Sequence, residues 1–451
     1  MLIGNESLVV ADTEKPPAGG PSSQKVLTGI VLAEGVEVVE DPPDGGLRAW
    51  LVAFGVAIGM GGMEGIITSW GTLQAYYEEE LLQNKSSSEM QVAPSVFVAG
   101  HANLRCSAWI GFVQNAIGYA PGLLVGRLFD MGYRRFLVFA SSVLFVACTF
   151  LTAECTQYWQ FLLCQGFGIG ITSGGGFFNV GSMVLTHWFK KRLGLALAIA
   201  YGGMSMFGWI FPIIIKSLLQ HAGFQWTMRI LGFISLGLLV ATNMTVAGRL
   251  PGTRDLGPLF NLSEFKKPVY SFYVAALVVN TLALTNAPTY ITFSAVDAGV
   301  DVGFSDHLVV IITAVSVLGL LVGGVFADRY NPLDVLICST LLAAILNFAW
   351  PFATGVTPLA VVAVLIGLST GGVWASLVQP LARMGRLTDV RLRIGMAFTA
   401  LTVAVAVGSP ISGAIFNATY PLVQDCGLLL RFGAGVVGRL DGRREAPPGQ
   451  V

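Results

Sequence analysis

Long apolar runs separated by short polar segments fill most of this chain. A helix needs about 20 mainly apolar residues to cross the hydrocarbon core of a bilayer, and runs of this kind predict eleven spanning helices. These helices cover residues 49–75, 108–128, 136–154, 158–187, 193–215, 226–247, 269–293, 308–327, 334–353, 356–382 and 394–418. A twelfth is expected after Pro421, but the run from Cys426 to Gly438 is short and contains Arg431. We therefore expect the twelfth helix to be degenerate.

Charged residues cluster in the polar segments between these runs. The segment Gly126–Arg135 carries Asp130 together with Arg127, Arg134 and Arg135. Charges at this density are costly in hydrocarbon. We therefore predict that this segment forms a water-facing loop where helix 2 ends and helix 3 begins.

This segment has a counterpart later in the chain, where Gly324 precedes Asp328 and Arg329. Gly170–Gly175 likewise returns as Gly367–Gly372, in nearly the same register. Repeats of this kind predict two parallel halves of about six helices each, a layout typical of secondary transporters. The expected fold is an all-α membrane protein built from two six-helix halves.

Composition supports a membrane protein and argues against several other classes. The chain is 54% hydrophobic and 12% charged, whereas soluble domains have about 25% charged residues. Its formal net charge is zero, so no nucleic-acid partner is indicated. The six cysteines and four histidines have no metal-ligand or catalytic spacing. We therefore expect no metal and no cofactor, and a membrane-embedded enzyme is the weaker alternative.

Basic residues lie in alternate loops, and this alternation sets the expected orientation. The loops hold Arg134 and Arg135; Lys190, Lys191 and Arg192; Arg249, Arg254, Lys266 and Lys267; Arg329; and Arg383, Arg386, Arg391 and Arg393. The N-terminus and the loop 248–268 are therefore expected to face the cytosol. The predicted organisation is a disordered cytosolic tail (1–47), an N-terminal six-helix half (48–247), a cytosolic linker (248–268), a C-terminal half (269–440) and a tail (441–451).

Two segments resemble signatures of the monocarboxylate porter family within the major facilitator superfamily. Asp44–Trp50 resembles that family's entry signature before helix 1, and Trp188–Ala196 resembles its second signature at the start of helix 5. The segments 126–135 and 324–329 are similar to the superfamily's motif between helices 2 and 3 and between helices 8 and 9. The resemblance covers residues 44–420. It implies a twelve-helix transporter working by alternating access, with relatives that carry monocarboxylates, riboflavin or other small organic solutes.

The resemblance also implies which residues take part in the conformational change. They are Asp44, Gly45, Gly46, Trp50, Gly126, Arg127, Asp130, Arg134, Arg135, Lys190, Lys191, Arg192, Gly324, Asp328 and Arg329.

Several positions depart from the family's pattern. Ala198 and Phe207 stand where glycine is common, which argues against close packing of helix 5. Helix 8 has no charged residue before Asp328, so proton–lactate cotransport is not supported. Residues 91–107 are extra, and we interpret them as an unremoved in-frame intron, with a variable exterior loop as the alternative. The broken twelfth helix suggests a frame change near residue 421.

Candidate solute-binding residues lie on the helices that line the cavity in this superfamily, which are helices 1, 4, 7 and 10. The predicted set is Glu64, Gln165, Asn179, Asn280, Trp374 and Gln379. Glu64 lies in the middle of helix 1, where an ionisable group is costly unless it is paired or hydrated. It is a candidate for proton coupling or for binding a cation, and a hydrated glutamate without a role is the alternative.

The remaining members of this set are uncharged. Interhelical hydrogen bonding is the alternative role of each of them. Trp374 is in addition able to stack on a flat ring. Arg229, near the start of helix 6, is a candidate for attracting an anion, and snorkelling to the interface is the alternative.

The expected function is alternating-access transport of a small organic solute, monocarboxylate-like or riboflavin-like, with protons as a candidate coupling ion. A transport-inactive or truncated homologue, acting as a sensor or without function, is the alternative. The expected location is the lipid bilayer of the plasma membrane, as a multi-pass protein, with an internal membrane as the second option.

Overall fold

The structure is a computed structural model that describes residues 44–77, 108–246, 264–284, 291, 295, 300–353, 355–384, 390 and 392–407. Most of the tail 1–47, the extra segment 91–107, most of the linker 248–268 and the region of the twelfth helix lie outside the described residues. The predictions for those segments stay predictions.

The described residues are almost entirely helical, and we number the spans α1 to α11 along the chain. They are α1 (Leu47–Thr68, continued by Trp70–Tyr76), α2 (Ala108–Tyr119 and Gly122–Asp130), α3 (Arg134–Glu154), α4 (Tyr158–Trp188), α5 and α6 (the two parts of Leu193–Thr245), α7 (Pro268–Leu284), α8 (Val302–Arg329), α9 (Pro332–Ala349), α10 (Val356–Arg383) and α11 (Leu392–Val407). Short 3-10 turns cover Glu264–Lys266 and Trp350–Phe352. Each predicted helix from 1 to 11 overlaps the span with the same number.

Length and composition support a membrane-spanning bundle. Within the described part of the chain, seven helices are long and apolar enough to cross a membrane, and α7 and α11 are shorter apolar helices. The longest of the seven, Leu193–Thr245, is two helices joined at Gly223, whose φ of 72° and ψ of 172° are not helical. Glycine tolerates this conformation because it has no Cβ. The single helical stretch is therefore the two predicted spans, α5 and α6.

About half of span α4 is a π-helix rather than an α-helix. Its π segments are Leu162–Ile169 and Ile171–Phe178, and α-helical turns lie on either side. Directly after the second segment, the Asn179 side-chain amide donates to the carbonyl of Gly174, which lies within that segment, at 2.7 Å. Irregular backbone geometry is therefore concentrated in α4. Such π turns are rare and occur frequently at functional sites.

The predicted water-facing turn between helices 2 and 3 is present but shorter than the segment 126–135, because both helices extend into that segment. Gly126 to Asp130 form the end of α2, and the turn is confined to Met131–Tyr133, where Gly132 has a φ of 87°. In the second half α8 likewise continues to Arg329. A helix satisfies its own backbone hydrogen bonds as it leaves the membrane, so charged residues occupy its final turn rather than a loop.

Helix α5 packs closely against its neighbours, which corrects the expectation drawn from Ala198 and Phe207. The glycines stand on the partner helices: Phe207 packs over Gly61 of α1, and Ala198 packs against Gly324 of α8. Gly203 of α5 itself lies against the backbone of Ala57. Small residues at these crossings let helix backbones approach each other.

Candidate functional site

We call the end of the bundle where α2 and α8 end, and where α3 and α5 begin, the basic end. Arg127, Arg134, Arg135, Arg329 and the run Lys190–Arg192 lie there. The side chain of Asp130 is outside the described residues, so its expected part in the conformational change stays a prediction.

The two segments that resemble the monocarboxylate porter signatures meet at the basic end. An oxygen of the Asp44 carboxylate accepts hydrogen bonds from the backbone amides of Lys190 and Lys191, and the Asp44 amide donates to the Trp188 carbonyl at 3.2 Å. Trp50 packs on Phe189 with ring centroids 4.9 Å apart. The first segment therefore fixes the turn that leads into α5.

Three backbone positions in this first segment have unusual conformations. Asp44 has a φ of 53°, and Gly45 and Gly46 have φ values of 156° and 94°. Gly46 also stands directly before the first residue of α1. The sharp entry into α1 explains the glycine pair, and the hydrogen bonds on Asp44 hold it in a conformation that few non-glycine residues adopt.

Asp328, at the end of α8, caps the N-terminus of α5. Its two carboxylate oxygens accept hydrogen bonds from the amides of Gly194 and Leu195, at 2.6 and 2.8 Å. The first amides of a helix have no partner within it and carry partial positive charge. A residue of the second half therefore stabilises a helix of the first half.

A second contact joins the halves at the same level of the bundle. The Leu123 amide of α2 donates to the Thr399 hydroxyl of α11 at 3.0 Å, and Gly122 lies against the Gly395 carbonyl. The two halves are therefore joined at the basic end by two contacts, one between α5 and α8 and one between α2 and α11.

Above these contacts, five aromatic residues form a cluster between the halves. Phe178 of α4 contacts all the others: its ring centroid lies 5.5 Å from Tyr119, 5.5 Å from Tyr201, 6.1 Å from Trp374 and 4.9 Å from Phe398. Tyr119, Phe178 and Tyr201 belong to the first half, and Trp374 and Phe398 to the second. We call these five residues the interface aromatic cluster.

Glu64 is half-buried on the side of α1 that faces away from α6. Gly62 packs on Leu238 of α6, and residues two apart in a helix point in nearly opposite directions. Tyr119, a member of the interface aromatic cluster, lies within electrostatic reach of Glu64. Among the described residues its carboxylate has no ion-pair partner.

Of the other predicted binding residues, the structure brings Trp374 and Asn179 to this region. Asn179 follows Phe178 directly, and its side-chain oxygen is buried, lies near Gly122 and accepts no hydrogen bond in the described part of the chain. The side-chain oxygen of Asn179 is therefore available to accept a hydrogen bond beside the interface aromatic cluster.

Gln165, Gln379 and Asn280 lie elsewhere. Gln165 accepts a hydrogen bond from the Tyr77 hydroxyl at 2.7 Å, toward the end opposite the basic end. Gln379 is buried against Gly194 at the basic end. Asn280 is half-buried on α7. The structure thus does not gather the six predicted residues into a single site.

Four members of the cluster were missed by sequence reasoning, namely Tyr119, Phe178, Tyr201 and Phe398. The sequence offered a signal for one of them, because Phe178 directly precedes Asn179, a predicted binding residue. Arg229, considered for anion attraction, instead pairs with Glu154 of α3 at 2.6 Å and lies over the Trp226 ring. It joins two helices of the first half away from the cluster.

Comparison with known proteins gives consistent matches. The model of the Major Facilitator Superfamily matches residues 92–305. MFS-type transporter 1 of Ophiocordyceps sp. is 32% identical over 376 residues, which are 82% of this chain and 79% of that protein. The aspyridones efflux protein apdF of Emericella nidulans is 31% identical over 83% of this chain and 73% of its own length.

Solved structures resemble the fold at low sequence identity. The human organic anion transporter MFSD10 (TETRAN) has a TM-score of 0.63 and 12% identity, covering 82% of this chain and 94% of that one. A variant of the Escherichia coli fucose:proton symporter FucP has a TM-score of 0.59 and 16% identity, covering 82% and 92%. Both likenesses concern the fold alone.

Proposed function

Because this chain belongs to the major facilitator superfamily, we propose that it is a secondary transporter that exports a small organic solute with a flat, apolar ring. Membership makes it a multi-pass membrane protein of a transporter family and not an enzyme. Export is supported by one relative, the aspyridones efflux protein apdF of Emericella nidulans. An exporter acts at the boundary of the cell, so we place the protein in the plasma membrane.

The interface aromatic cluster is the observation that carries the proposal. In alternating access the solute binds between the halves, and the cluster contains rings from both. Aromatic side chains pair with other rings in offset or edge-on geometry, so a flat solute is able to replace the contacts that Phe178 makes with Trp374 and Phe398. Trp374 is half-buried, which makes it the member best placed to meet a solute.

Glu64 is proposed to couple transport to protons. It is an ionisable group inside an apolar span, close to Tyr119 and without an ion-pair partner in the described residues. A carboxylate in this setting is costly to keep charged. Gain and loss of a proton by Glu64 would therefore bias the two states of the transporter differently.

A monocarboxylate-like or riboflavin-like solute is the second candidate. It is favoured by the contact between Asp44 and the turn at Lys190 and Lys191, which joins the two segments that resemble monocarboxylate porters. Riboflavin has a flat ring system and would suit the same cluster. A monocarboxylate without a ring would not need the interface aromatic cluster.

Uptake into inside-out vesicles tests both candidates. Radiolabelled lactate, riboflavin and a panel of aromatic acids would be offered to vesicles containing the chain and to empty vesicles. We expect uptake of a ring-containing solute, reduced at least tenfold by Trp374→Leu and unchanged by Trp159→Leu, the same substitution at an exposed position. Uptake of lactate alone or of riboflavin alone would favour the second candidate. No uptake above empty vesicles would support a transport-inactive homologue.

A further inference from the structure

Asn179 carries a buried hydrogen-bond acceptor that no group satisfies in the described part of the chain. Its side chain is fully buried, and its Oδ1 atom accepts no hydrogen bond from the described residues. A buried polar atom without a partner costs free energy, and such atoms are few in native structures. A group that donates a hydrogen bond to Oδ1 in another state of the protein would remove this cost.

The orientation of the Asn179 amide is fixed from within α4. Its Nδ2 atom donates to the Gly174 carbonyl at 2.7 Å. Because nitrogen is the donor of an amide and oxygen its acceptor, this bond assigns the nitrogen to the side of Gly174 and leaves Oδ1 on the other side. Gly174 also packs against the backbone of Gly118 of α2. The acceptor is therefore held in place where two helices cross.

The Oδ1 atom lies where the first half meets the second. A Cβ on Gly122 of α2 would lie 3.1 Å from Oδ1, 3.3 Å from the Phe398 Cβ and 3.0 Å from the Gly395 carbonyl oxygen. Phe398 and Gly395 belong to α11, in the second half. The Phe178 ring, next to Asn179 in the chain, lies 4.9 Å from the Phe398 ring. The acceptor is thus beside the interface aromatic cluster and at the contact between α2 and α11.

This contact is closed in the structure. A Cβ on Gly395 would lie 2.6 Å from the Gly122 carbonyl oxygen, so the backbones of α2 and α11 touch and leave no space for a solute between them. In alternating access the two halves separate at one end of the bundle and then at the other. Opening of the basic end would expose Oδ1 toward the cytosol, which the alternation of basic loops places at this end. An exporter takes up its solute from that side.

We propose that Asn179 selects solutes whose flat ring carries an N–H or O–H group, by accepting a hydrogen bond from that group when the basic end is open. This inference rests on the proposed function, since the ring itself binds in the interface aromatic cluster. An ionised carboxylate has no hydrogen to donate, so the acceptor does not favour monocarboxylates. When the basic end closes, Gly122 and Gly395 return to contact and displace the bound group. The same residue therefore binds in the loading state and releases in the other.

Discrimination between solutes arises from the cost of burying the acceptor. In the open state, water is able to donate to Oδ1, and a ring with a donor group replaces that bond with its own. A methylated ring displaces the water and leaves Oδ1 buried without a partner. A site that bonds a polar group rejects the analogue lacking that group more strongly than an apolar pocket rejects a change of one methylene.

Binding of matched rings to the purified full-length chain in lipid nanodiscs tests the proposal. Indole and 1-methylindole differ in one N–H group, and 6-hydroxyquinoline and 6-methoxyquinoline differ in one O–H group. Each ring would be measured by equilibrium dialysis, and empty nanodiscs would correct for partition into lipid. We expect the donor member of each pair to bind about fivefold more tightly, which is the effect of one hydrogen bond.

Two variants and one matched control locate the acceptor. Asn179→Leu has a similar volume and no acceptor, so both members of a pair should bind equally. Asn179→Asp keeps an acceptor oxygen and should retain the preference for the donor member. Asn347→Leu is the same substitution at an asparagine of α9, whose amide also donates to a carbonyl of its own helix. Its preference should match that of the parent.

Three results would overturn the inference. Equal binding within both pairs by the parent would remove the selection by Asn179 and leave the ring site of the proposed function standing. Equal loss of preference in Asn179→Leu and Asn347→Leu would mean that the preference does not come from Asn179. Binding of none of the four rings would contradict the proposed function, and this inference with it. The ratio of affinities within a pair does not depend on the folded fraction, so a less stable variant still gives an answer.

Discussion

Gly194 of α5 and Gly324 of α8 face each other so closely that neither has room for a side chain. A Cβ on Gly194 would lie 2.5 Å from the Gly324 carbonyl oxygen, and a Cβ on Gly324 would lie 2.6 Å from the Gly194 carbonyl oxygen. The contact is between backbones, which cannot move aside as a flexible side chain does. Closure of the basic end therefore requires glycine on both helices.

We predict that Gly324→Ala prevents this closure. Its methyl group would also lie 2.7 Å from the Ala198 Cβ, and overpacking of this kind costs about 1–3 kcal/mol. The unfolding temperature should fall, and transport should drop at least tenfold. Gly237→Ala is the matched control, since a Cβ there meets nothing within 4 Å. Equal behaviour of the two variants would contradict the role given to the pair.

Replacing Asp328 by Asn should weaken the same contact without adding bulk. The carboxylate accepts from the amides of Gly194 and Leu195, and its charge at a helix N-terminus is worth about 0.3–2 kcal/mol. The amide side chain would keep one acceptor oxygen and lose the charge, so Asp328→Asn should fall between the parent and Asp328→Ala in thermal stability. Stability of Asp328→Ala equal to that of the parent would show that the cap is not needed.

Loss of the Asp44 side chain should release the turn before α5. Hydrogen bonds to a charged group contribute about 1.5–3 kcal/mol each, and Asp44 accepts from both Lys190 and Lys191. Trypsin should therefore cut faster after residues 190–192 in Asp44→Ala than in the parent.

Two comparisons sharpen this experiment. Asn tolerates positive φ better than Ala, so Asp44→Asn should be cut at an intermediate rate. Cleavage after the exposed Arg329 serves as the internal control. Faster cleavage at both places would indicate general unfolding rather than release of the turn.

Neutralising Glu64 should separate proton coupling from solute binding. Gln has nearly the same shape and cannot release a proton, so Glu64→Gln should flatten the dependence of net export on pH while solute exchange persists. Glu154→Gln is the control, because this carboxylate is exposed and pairs with Arg229 away from the cluster. An unchanged pH profile in Glu64→Gln would remove the residue from the coupling mechanism, and equal loss of both activities would point to cation binding.

The orientation can be tested at two exposed turns. In a chain whose native cysteines are replaced, Met131→Cys at the basic end and Thr156→Cys between α3 and α4 would be treated with an impermeant maleimide. The alternation of basic loops predicts that intact cells label position 156 and that position 131 reacts only after permeabilisation. The reverse pattern would invert the topology.

Spans and the two-half repeat were predictable because each rests on a property of the chain alone. A run of apolar residues long enough to cross hydrocarbon leaves few options besides a helix, and the bend at Gly223 falls between two such runs. Hydropathy does not specify which backbone hydrogen bonds form within a span. The π segments of α4 and the extension of α2 to Asp130 were therefore not foreseen.

The candidate site was predicted only in part, because its members meet across the two halves. Glu64 and Asn179 stand out as polar groups in apolar runs, and Trp374 as a large aromatic. Phe178 and Phe398 resemble the many other phenylalanines of the chain until the halves are brought together. Gln165 lies on the same span as Asn179, and Gln379 on the same span as Trp374, yet the two glutamines lie near opposite ends of the bundle.

The π-helical segments of α4 bear on how this span matches the thickness of the bilayer. Tyr158–Trp188 contains 31 residues, which as a continuous α-helix would extend about 46 Å at 1.5 Å per residue. The hydrocarbon core is about 30 Å thick. Hydrogen bonds from i to i+5 make a wider and shorter coil than those of an α-helix. Span α4 is therefore shorter than a continuous α-helix of 31 residues, and counting its residues overstates the thickness of membrane that it crosses.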